Sequence, residues 1–441
     1  MAWSPPELGP AARTLGALGL LTLALPANLA VTGAALVRRM RSGGATSVSS
    51  SPRTVLISGG KMTKALVLAR SFHAAGHRVV LVEQHKYRFT GHRFSRAVDA
   101  FHVVPPPQAP GYAEALLQIV LDEKVDVYVP VCSPASSLYD ARAAPLLAQH
   151  CEVLHGDADT IAAVDDKHAF SLLAAGFGLP VPDAHRMTSA QQVADFDFAA
   201  RKDTYILKSI AYDPVNRLDL TVLPRPTRAA TAEFARSKPI SPDNPWILQA
   251  LVEGTEYCTH ATVRNGRVQV YACCESSAFQ VNYAWVDRPR IEAWVRDFLE
   301  KVGGSGQYSL DVIETADGRV FPIECNPRTH SAISVFRDHP GLADAYLRDG
   351  ATPVQRPAPG ARPSYWLYHE VWRLLRGPQR RQRLQVIRAG RDAVFDWDDP
   401  LPFLLLHHLH IPKLLLGNLL RGKPWNRIDF NIGKLVEPAG D

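Results

Sequence analysis

Three side chains that carry oxygen donor atoms occur within segment 308–330 of this 441-residue sequence. The segment has the pattern of two β-strands joined by an Asp-Gly turn, which is a strong hairpin signal. Alternate residues of a strand share a face, so Asp311 can lie opposite Glu324 and Asn326 across the hairpin. Two carboxylates and an amide oxygen form the kind of cage that Mg²⁺ prefers. The pattern therefore predicts a metal site, with a polar surface hairpin as the alternative interpretation.

Two further residues continue the same face beyond the predicted ligands. Arg328 supplies a planar cation directly after the predicted metal ligands. His330 supplies a side chain that can carry a proton near neutral pH. Both are candidate catalytic residues, and for His330 a structural role is an equally open interpretation.

The overall composition is that of a globular protein with room for two or three domains, since 46% of the residues are hydrophobic and 21% are charged. None of the six cysteines shows Cys-x-x-Cys spacing, which predicts reduced thiols in the cytoplasm rather than a zinc site or a disulfide framework. The net charge of +6 is concentrated at the two ends, with +4 in residues 1–53 and +5 in residues 361–441. Because the middle is net negative, we expect no nucleic-acid partner for the body of the chain.

The N-terminal region, 1–53, contains a hydrophobic segment and then a flexible linker. Residues 14–37 form an uncharged run that is long enough to cross a bilayer as a helix, and three arginines follow it. By the positive-inside rule the following domain lies in the cytoplasm. Three interpretations stay open: a membrane anchor or interfacial segment, a cleaved signal, and a helix packed on the protein's own surface.

Strands alternate with helices between residues 54 and 155, which predicts a parallel α/β domain. A Gly-Gly-Lys turn follows the first strand, and there Gly60 and Lys61 are candidates for binding a substrate anion at a helix N-terminus. A basic segment with His92 and Arg93 follows the second strand, at the edge where such sheets bind ligands. A tight turn and a solvated loop are the alternative interpretations of these two features.

Two lysines in the next region, 156–350, lie at the boundaries of predicted elements. Lys167 begins a helix, and Lys208 ends a strand. A strand, a hinge and a second strand follow at 246–257, and the hairpin of the metal site comes last. Each feature is weak alone, but their order along the chain is informative.

That order resembles the ATP-grasp enzymes over roughly residues 54–345. The resemblance implies a mixed α/β and α+β fold, in which a preATP-grasp Rossmann-like domain (54–155) precedes a two-lobed ATP-grasp domain (156–350). The lid lobe is expected at about 180–250. The resemblance also implies that ATP binds between the lobes with Mg²⁺, or with Mn²⁺ in its place.

The same resemblance implies roles for individual residues. Lys167 and Lys208 hold the ATP phosphates, and Arg328 lies near the transferred phosphoryl group. The metal ligands are those of the hairpin: Asp311, Glu324 and Asn326. The hinge strand presents backbone groups to adenine and a carboxylate to the ribose, and the matching residues here are Gln249, Ala250, Val252 and Glu256.

The sequence departs from the family at 209–217 (SIAYDPVNR), where most members have a glycine-rich loop that covers the phosphates with N–H groups. This segment has no glycine. The side chains of Ser209, Tyr212 and Asn216 are candidate substitutes.

Several motifs resemble one branch of the family, the mycosporine-glycine synthases: GGKMTKAL at 59–66, FHAAGH at 72–77, TGHRFSRAVD at 90–99 and ECNPRTHSAI at 324–333. This resemblance implies a C–N ligase that joins glycine to the cyclohexenone 4-deoxygadusol through a phosphorylated intermediate, with Ser331 among the substrate contacts. The alternatives are a carboxylate–amine ligase for another small acid, and a membrane-tethered nucleotide-binding module without turnover.

The C-terminal region, 351–441, lies outside the ATP-grasp match. It has a proline-rich stretch, a basic helical pattern at 373–391 and a leucine-rich segment at 401–420. The leucine-rich segment is either an amphipathic membrane-surface helix or a helix packed against the catalytic body or a homodimer partner. Together with the N-terminal segment, it predicts a cytoplasmic catalytic body with peripheral or anchored membrane association.

Overall fold

A computed structural model describes residues 9–42, 50–131, 133, 136–211, 213, 216, 219–276, 282–349, 353–377, 379–423 and 427–436. These residues form five β-sheets with helices around them.

A long helix, α1 (Pro10–Ser42), precedes the first domain and extends beyond both ends of the uncharged run. By length and composition, Ala11–Arg41 and Leu401–Leu420 are each able to cross a membrane, although core helices of soluble proteins and signal sequences pass the same test. Only 17% of the first window and 33% of the second are buried. Neither segment is therefore a typical core helix.

The first domain is built on a parallel sheet, as the alternation of strands and helices predicts. Its strands are β1 (Thr54–Ile57), β2 (Arg78–Gln84), β3 (Ala100–Val104), β4 (Val127–Val129) and β5 (Glu152–Val153), and its helices are α2 (Thr63–Ala74), α3 (Tyr112–Asp122) and α4 (Ser137–Leu147). The strand order is β3-β2-β1-β4-β5. Val55 and Ile57 pack into one apolar core and Leu56 into another, because helices cover both faces of the sheet.

Two helices and a small lobe follow: α5 (Ala158–Asp165), α6 (Lys167–Gly176), β6 (Ala184–Met187), α7 (Ala190–Ala194), β7 (Tyr205–Ser209), α8 (Arg228–Arg236) and β8 (Trp246–Ala250). The three strands form an antiparallel sheet in the order β6-β8-β7. The lobe has its own apolar core, with Tyr205 and Trp246 fully buried in it.

A four-stranded antiparallel sheet holds the predicted hairpin. Its region contains β9 (Thr255–Arg264), β10 (Arg267–Glu275), β11 (Asn282–Tyr283), α9 (Pro289–Val302), β12 (Gly306–Glu314), β13 (Val320–Asn326), a 3₁₀ helix (Ser331–Phe336) and α10 (Leu342–Leu347). The sheet order is β10-β9-β12-β13. The turn between β12 and β13 contains Gly318 at φ 78°, a conformation that favours glycine, so the Asp-Gly signal predicts this hairpin correctly.

The C-terminal region folds onto the first domain. It contains β14 (Ser364–Tyr365), α11 (Leu367–Arg376), α12 (Arg380–Ala389), β15 (Arg391–Asp392), α13 (Leu401–Leu405), a π-helix (Leu406–His410), α14 (Ile411–Leu420), β16 (Ile428–Asp429) and β17 (Lys434–Leu435). Phe403, Leu406 and Phe430 share one apolar core with Leu66 and Phe72 of α2. Of the open interpretations of segment 401–420, the structure therefore supports packing against the body for one side of these helices.

Candidate active site

The predicted metal ligands meet on the β12–β13 hairpin. Asp311 and Glu324 are directly paired across the two strands, and the register shifts immediately after Asp311. The Asn326 amide, two residues further along β13, donates to Glu324 Oε1 at 3.2 Å. The structure thus brings together the three side chains that the alternation pattern selects.

The protonation of the carboxyl pair follows from its surroundings. Burial and the adjacent Glu324 carboxylate raise the pKa of Asp311 well above its usual range. Burial also acts to raise the pKa of Glu324, but Lys167, a hydrogen bond from Asp311 and Lys208 together lower it. The two carboxyl groups therefore titrate as a coupled pair, in which Asp311 keeps its proton to a higher pH than Glu324 does.

This donor set fits a divalent cation. Asp311 Oδ1 is buried and has no hydrogen-bond partner within the described residues. Such an atom is costly to bury unless a ligand meets it. No group of three or more His, Cys, Asp or Glu side chains suited to a metal occurs in the described part of the chain, so the site rests on two carboxylates and the Asn326 amide.

Two lysines face the acidic pair from neighbouring elements. Lys167, the first residue of α6, lies with Nζ 3.5 Å from Glu324 Oε2 and donates to the Ile210 carbonyl at 3.2 Å. Lys208, near the end of β7, donates to Gln249 Oε1 at 3.2 Å. Burial lowers the pKa of Lys208, while Glu324 acts in the opposite direction. Both lysines therefore lie where their positive charges could bind an anionic ligand.

The hinge between β8 and β9 has backbone groups at the edge of this cleft. Ala250 donates its N–H to Asp183 O at 2.8 Å, and Leu251 donates its N–H to Thr204 O at 2.7 Å. The Val252 N–H makes no hydrogen bond to any described residue. Glu256, at the start of β9, is exposed. Val252 and Glu256 thus remain accessible to a ligand.

Arg328 is fixed at the other side of the metal ligands. One guanidinium nitrogen donates to Asn326 Oδ1, and the other lies 3.7 Å from Asp165 Oδ1. Burial raises the pKa of Asp165, and Arg328 opposes that rise. The sequence did not single out Asp165, although its position directly before the Asp166 cap of α6 could have drawn attention to it.

His330 lies in a cluster with a second histidine and a buried lysine. The backbone N–H of His330 donates to His260 Nδ1 at 3.2 Å. The His330 ring packs edge-on against the Tyr283 ring, with 5.3 Å between the ring centroids. Burial lowers the pKa of His330 well below its usual range, with His260 and Lys64 adding to the effect. His330 is therefore neutral. The sequence predicts Lys61 as a site residue, whereas Lys64, the second residue of α2, donates from Nζ to the Thr329 carbonyl at 2.5 Å.

Three of the predicted substrate residues are buried beneath the C-terminal region. Lys61 is 2% exposed, lies 3.8 Å from Glu83 and faces the Tyr87 ring at 4.4 Å. His92 is fully buried, with Nδ1 3.0 Å from the carbonyl of Gly60. These contacts give Gly60, Lys61 and His92 positions in the packed interior rather than on an open surface.

The other two predicted substrate residues lie apart from each other. Arg93 donates to the Arg88 carbonyl at 2.7 Å and stacks over Phe101 at 4.4 Å. Ser331 begins the 3₁₀ helix beyond the metal ligands and accepts a hydrogen bond from Asn431 at 2.7 Å. Only Ser331 is therefore continuous with the candidate site.

Asn431 introduces the C-terminal hairpin into this region. Its carbonyl accepts from the Thr63 N–H at 2.9 Å, while its side-chain Oδ1 is buried without a described partner. Trp366 Nε1 adds a hydrogen bond to Thr63 Oγ1 at 3.0 Å. The C-terminal region thus forms one wall beside Ser331, which no local sequence signal could reveal.

The glycine-free segment after β7 is only partly described, and Tyr212 lies outside the described residues. Asn216 bonds to Asp213 at 2.7 Å and accepts from Lys238 Nζ at 3.1 Å. The Asn216 side chain therefore makes hydrogen bonds within and beside the glycine-free segment.

Comparison with known proteins identifies the fold. No protein-family model matches the sequence, and no curated protein sequence matches it. Among solved structures, an ADP complex of N5-carboxyaminoimidazole ribonucleotide synthetase matches 72% of this chain and 82% of its own, at 15% identity and a TM-score of 0.54. The Aspergillus clavatus enzyme with ADP and 5-aminoimidazole ribonucleotide matches 71% of this chain and 80% of its own, at 12% identity and a TM-score of 0.52.

The Staphylococcus aureus enzyme complexed with ADP matches 67% of this chain and 75% of its own, at 13% identity and a TM-score of 0.50. The chain has the ATP-grasp fold. The fold class inferred from the order of lysines, hinge and hairpin is therefore confirmed.

Proposed function

We propose that this chain is an ATP-dependent ligase that forms a C–N bond. The observation that carries the proposal is the charge arrangement on the hairpin. A half-buried carboxyl pair, in which one Asp311 oxygen is buried without a described partner, faces Lys208 and Lys167, and Arg328 borders it. Within an ATP-grasp fold, such an arrangement suits MgATP, with anionic phosphates between the lysines and a cation on the carboxylates.

Each lysine has a defined task in this proposal. Lys167 and Lys208 neutralise the α and β phosphates and exchange their present contacts with Glu324 and Gln249 for phosphate oxygens. The hinge holds the nucleoside, with the Val252 N–H available to adenine and Glu256 available to the ribose. Positioning of this kind supplies most of the catalysis in phosphoryl transfer, because the step needs little covalent help.

Asp311, Glu324 and Asn326 would hold the divalent cation, which offsets charge on the phosphate oxygens when bound. To act as a ligand, the Asn326 oxygen would have to turn from Arg328, to which it is now hydrogen-bonded. Arg328 is then free to place its planar fork against the transferred phosphoryl group. Asp165 keeps the guanidinium at the site during that exchange.

The proposed chemistry has two balanced steps. An enolate or carboxylate oxygen of the acceptor attacks the γ-phosphorus of ATP, and ADP leaves. The amine nitrogen then attacks the carbon that bears the new phosphate ester, phosphate leaves, and the nitrogen loses a proton. The departing phosphate can accept that proton. The His330 ring is a weak base because burial lowers its pKa, and its orientation is fixed by the Ala332 N–H, which donates to His330 Nδ1 at 3.2 Å.

The finer proposal is that the acceptor is 4-deoxygadusol and the amine is glycine, giving mycosporine-glycine. It is supported by the motifs around Gly60, His92 and Arg328. A carboxylate–amine ligase for another small acid uses the same site residues and proceeds through an acyl phosphate. The two differ only in the acceptor.

Mass analysis of one reaction separates these proposals. Purified chain is incubated with Mg²⁺, ATP, 4-deoxygadusol and an equimolar mixture of amino acids, with ADP release followed in parallel. We expect a product mass equal to 4-deoxygadusol plus glycine less water, and one ADP per product. ADP formation with a different acid in place of 4-deoxygadusol would overturn the finer proposal alone. Nucleotide binding without ADP release across a panel of acids would overturn the ligase.

We also propose that the ligase works in the cytoplasm while attached to a membrane. This proposal is supported by two segments, Ala11–Arg41 and Leu401–Leu420, that have the length and composition of membrane-seeking helices. Sedimentation of the full chain with lipid vesicles tests it. A chain that stays in the supernatant with every vesicle composition would contradict attachment and leave the ligase proposal intact.

A further inference from the structure

The helix α1 has its polarity reversed relative to an ordinary surface helix. The residues that it buries against the protein are mostly small or polar, and they recur on one stripe: Thr14, Leu21, Asn28, Thr32 and Ala35. The residues that it exposes are large and apolar: Leu15, Leu20, Leu23, Leu29, Val31, Val37 and Met40. At 100° per residue these two sets lie on opposite sides of the helix.

The exposed side of α1 presents large apolar side chains to water. Leu23 is 78% exposed and Met40 is 76% exposed. Each such side chain is less stable in water than in an apolar medium. A contiguous apolar surface of this kind marks an interaction site in a soluble body, and no charged residue interrupts it between Arg13 and Arg38.

The buried side ties α1 to the body along most of its length. The Asn28 amide lies 2.7 Å from Tyr368 Oη and 2.6 Å from His408 Nε2. Arg38, ten residues further on, lies over the Trp397 ring at 5.7 Å. The helix also contacts α13, the π-helix and α14. A helix that crossed a bilayer would have to break these contacts or draw the C-terminal helices into the lipid.

The C-terminal helices cannot follow α1 into the bilayer interior, because the first domain holds them. Gly91 lies so close to Pro402 O and Leu406 N that a side chain there would collide with both. The His410 ring bonds to Gly433 O at 2.7 Å, within the hairpin that covers Lys61. The membrane therefore has access to the outer side of α1 and to the exposed Leu416 and Leu420 of α14.

The charged residues next to this apolar face are basic, which favours binding to an anionic membrane. Arg38, Arg39 and Arg41 end α1, and Arg421 and Lys423 follow α14. The two terminal regions are the basic parts of the chain. Each basic residue near an anionic bilayer strengthens binding to it.

We propose that α1 lies in the plane of an anionic bilayer, with Leu15, Leu23 and Val37 in the lipid and its polar stripe on the protein. The inference rests on the membrane attachment proposed above and adds its geometry. The catalytic body then lies on one side of the membrane and is held flat against it, instead of being tethered through a spanning helix.

Depth measurements on spin labels distinguish the two geometries. Residues 15 and 37 are about 33 Å apart along a helix, which is close to the thickness of the hydrocarbon core. Labels are placed in L15C, L23C and V37C full-length chains on vesicles containing phosphatidylglycerol, and unsubstituted chain gives the background from natural cysteines. We expect three similar, shallow depths. A deep label at 23, with labels at 15 and 37 near opposite surfaces, would overturn the in-plane geometry.

Vesicle binding provides a second readout with a matched control. L20D/L23D places two charges on the exposed side, and we expect at least a tenfold loss of binding. L121D changes a leucine of similar exposure on α3 (48% exposed), away from α1, and should leave binding unchanged. Equal binding to zwitterionic and anionic vesicles would contradict the proposal that the bilayer is anionic. Absence of binding by the unsubstituted chain would overturn the attachment itself, whereas ADP release by the same samples reports on the ligase separately.

Discussion

Asp311 faces Glu324 across the β12–β13 pair, so that burial and the Glu324 carboxylate raise the pKa of Asp311, and one oxygen of Asp311 is buried with no described partner. A carboxyl group in that state is stable as an acid without a cation and becomes a ligand when one binds. Cation binding at this hairpin should therefore release a proton, and its affinity should rise with pH.

The substitution Asp311→Asn tests this relationship. An amide is nearly isosteric with the protonated acid, so the metal-free chain should keep its melting temperature. The increase in melting temperature that Mg²⁺ and ATP give the unsubstituted chain should disappear, and ADP release should fall by about 100-fold or more. Asp317→Asn, in the exposed turn of the same hairpin, serves as the control and should behave as the unsubstituted chain does.

Arg328→Lys should reduce kcat while leaving the KM for ATP nearly unchanged. Lysine keeps the charge but loses the fork that reaches both Asn326 and Asp165. We expect a loss of about 100-fold in the rate of ADP formation, by analogy with removing one group that stabilises developing charge. Arg319→Lys, at an exposed arginine of the same hairpin, is the matched control. A rise in KM for ATP without a change in kcat would place Arg328 on the nucleotide and not on the transferred group.

The stability of the fold should fall when the pH drops below about 6.5. Burial lowers the pKa of His92 and of His260 from 6.5 to about 3. Between these values the unfolded chain binds more protons than the folded chain, so acid favours unfolding by about 1.4 kcal/mol per pH unit for each histidine.

The measurement for this pH effect is the free energy of unfolding in urea at pH 7 and pH 5. His260→Gln should reduce the difference between the two values, even if it lowers both. His150→Gln, at an exposed histidine, should leave the difference unchanged. A difference that is the same for His260→Gln and the unsubstituted chain would show that His260 does not titrate as its burial requires.

Gly433→Ala should loosen the C-terminal hairpin from the first domain. Gly433 has φ +68°, and a Cβ there would collide with the carbonyl of Lys61. The left-handed backbone alone costs an alanine about 1–2 kcal/mol, and the collision adds about 1–3 kcal/mol. Gly422→Ala is a precise control, because Gly422 has φ +64° with nothing within 4 Å.

Thermal unfolding should therefore rank the two glycine variants with Gly433→Ala lower. We also expect Gly433→Ala to raise the KM for the acceptor more than the KM for ATP, since the hairpin reaches Ser331 through Asn431. Equal melting temperatures for the two variants would mean that the hairpin is not held against Lys61.

The local parts of the site can be predicted from the sequence, because they depend on the two-residue alternation of strands and on the order of motifs along the chain. The two-residue alternation and the Asp-Gly turn are properties of a hairpin by itself, so they identify Asp311 and Glu324 without tertiary information. Lys167 and Lys208 were found from their places at a helix start and a strand end. The order of these positions resembles that of the ATP-grasp enzymes, and the solved structures that match this chain confirm the fold that the resemblance implies.

Contacts between distant parts of the chain were beyond that reasoning. Lys61 lies before α2 and pairs with Glu83 of β2, whereas Lys64, the second residue of α2, donates to the Thr329 carbonyl. These contacts join residues that are distant in the sequence, so no local pattern separates the two lysines. Asp165 meets Arg328 through the relative placement of α5 and β13. The sequence likewise indicated an apolar helix near 14–37 but not which of its sides the protein covers.

The hairpin at 428–435 also has a consequence for biosynthesis. The turn after β1 is made early on the ribosome, yet the residues that cover it, through Gly433 and Asn431, emerge only after the whole ATP-grasp region. Until then the apolar core that joins Leu66 to Phe430 is incomplete, and its exposed surface is open to chaperones or to aggregation. Nascent chains halted before residue 428 should therefore be bound by chaperones much longer than completed ones.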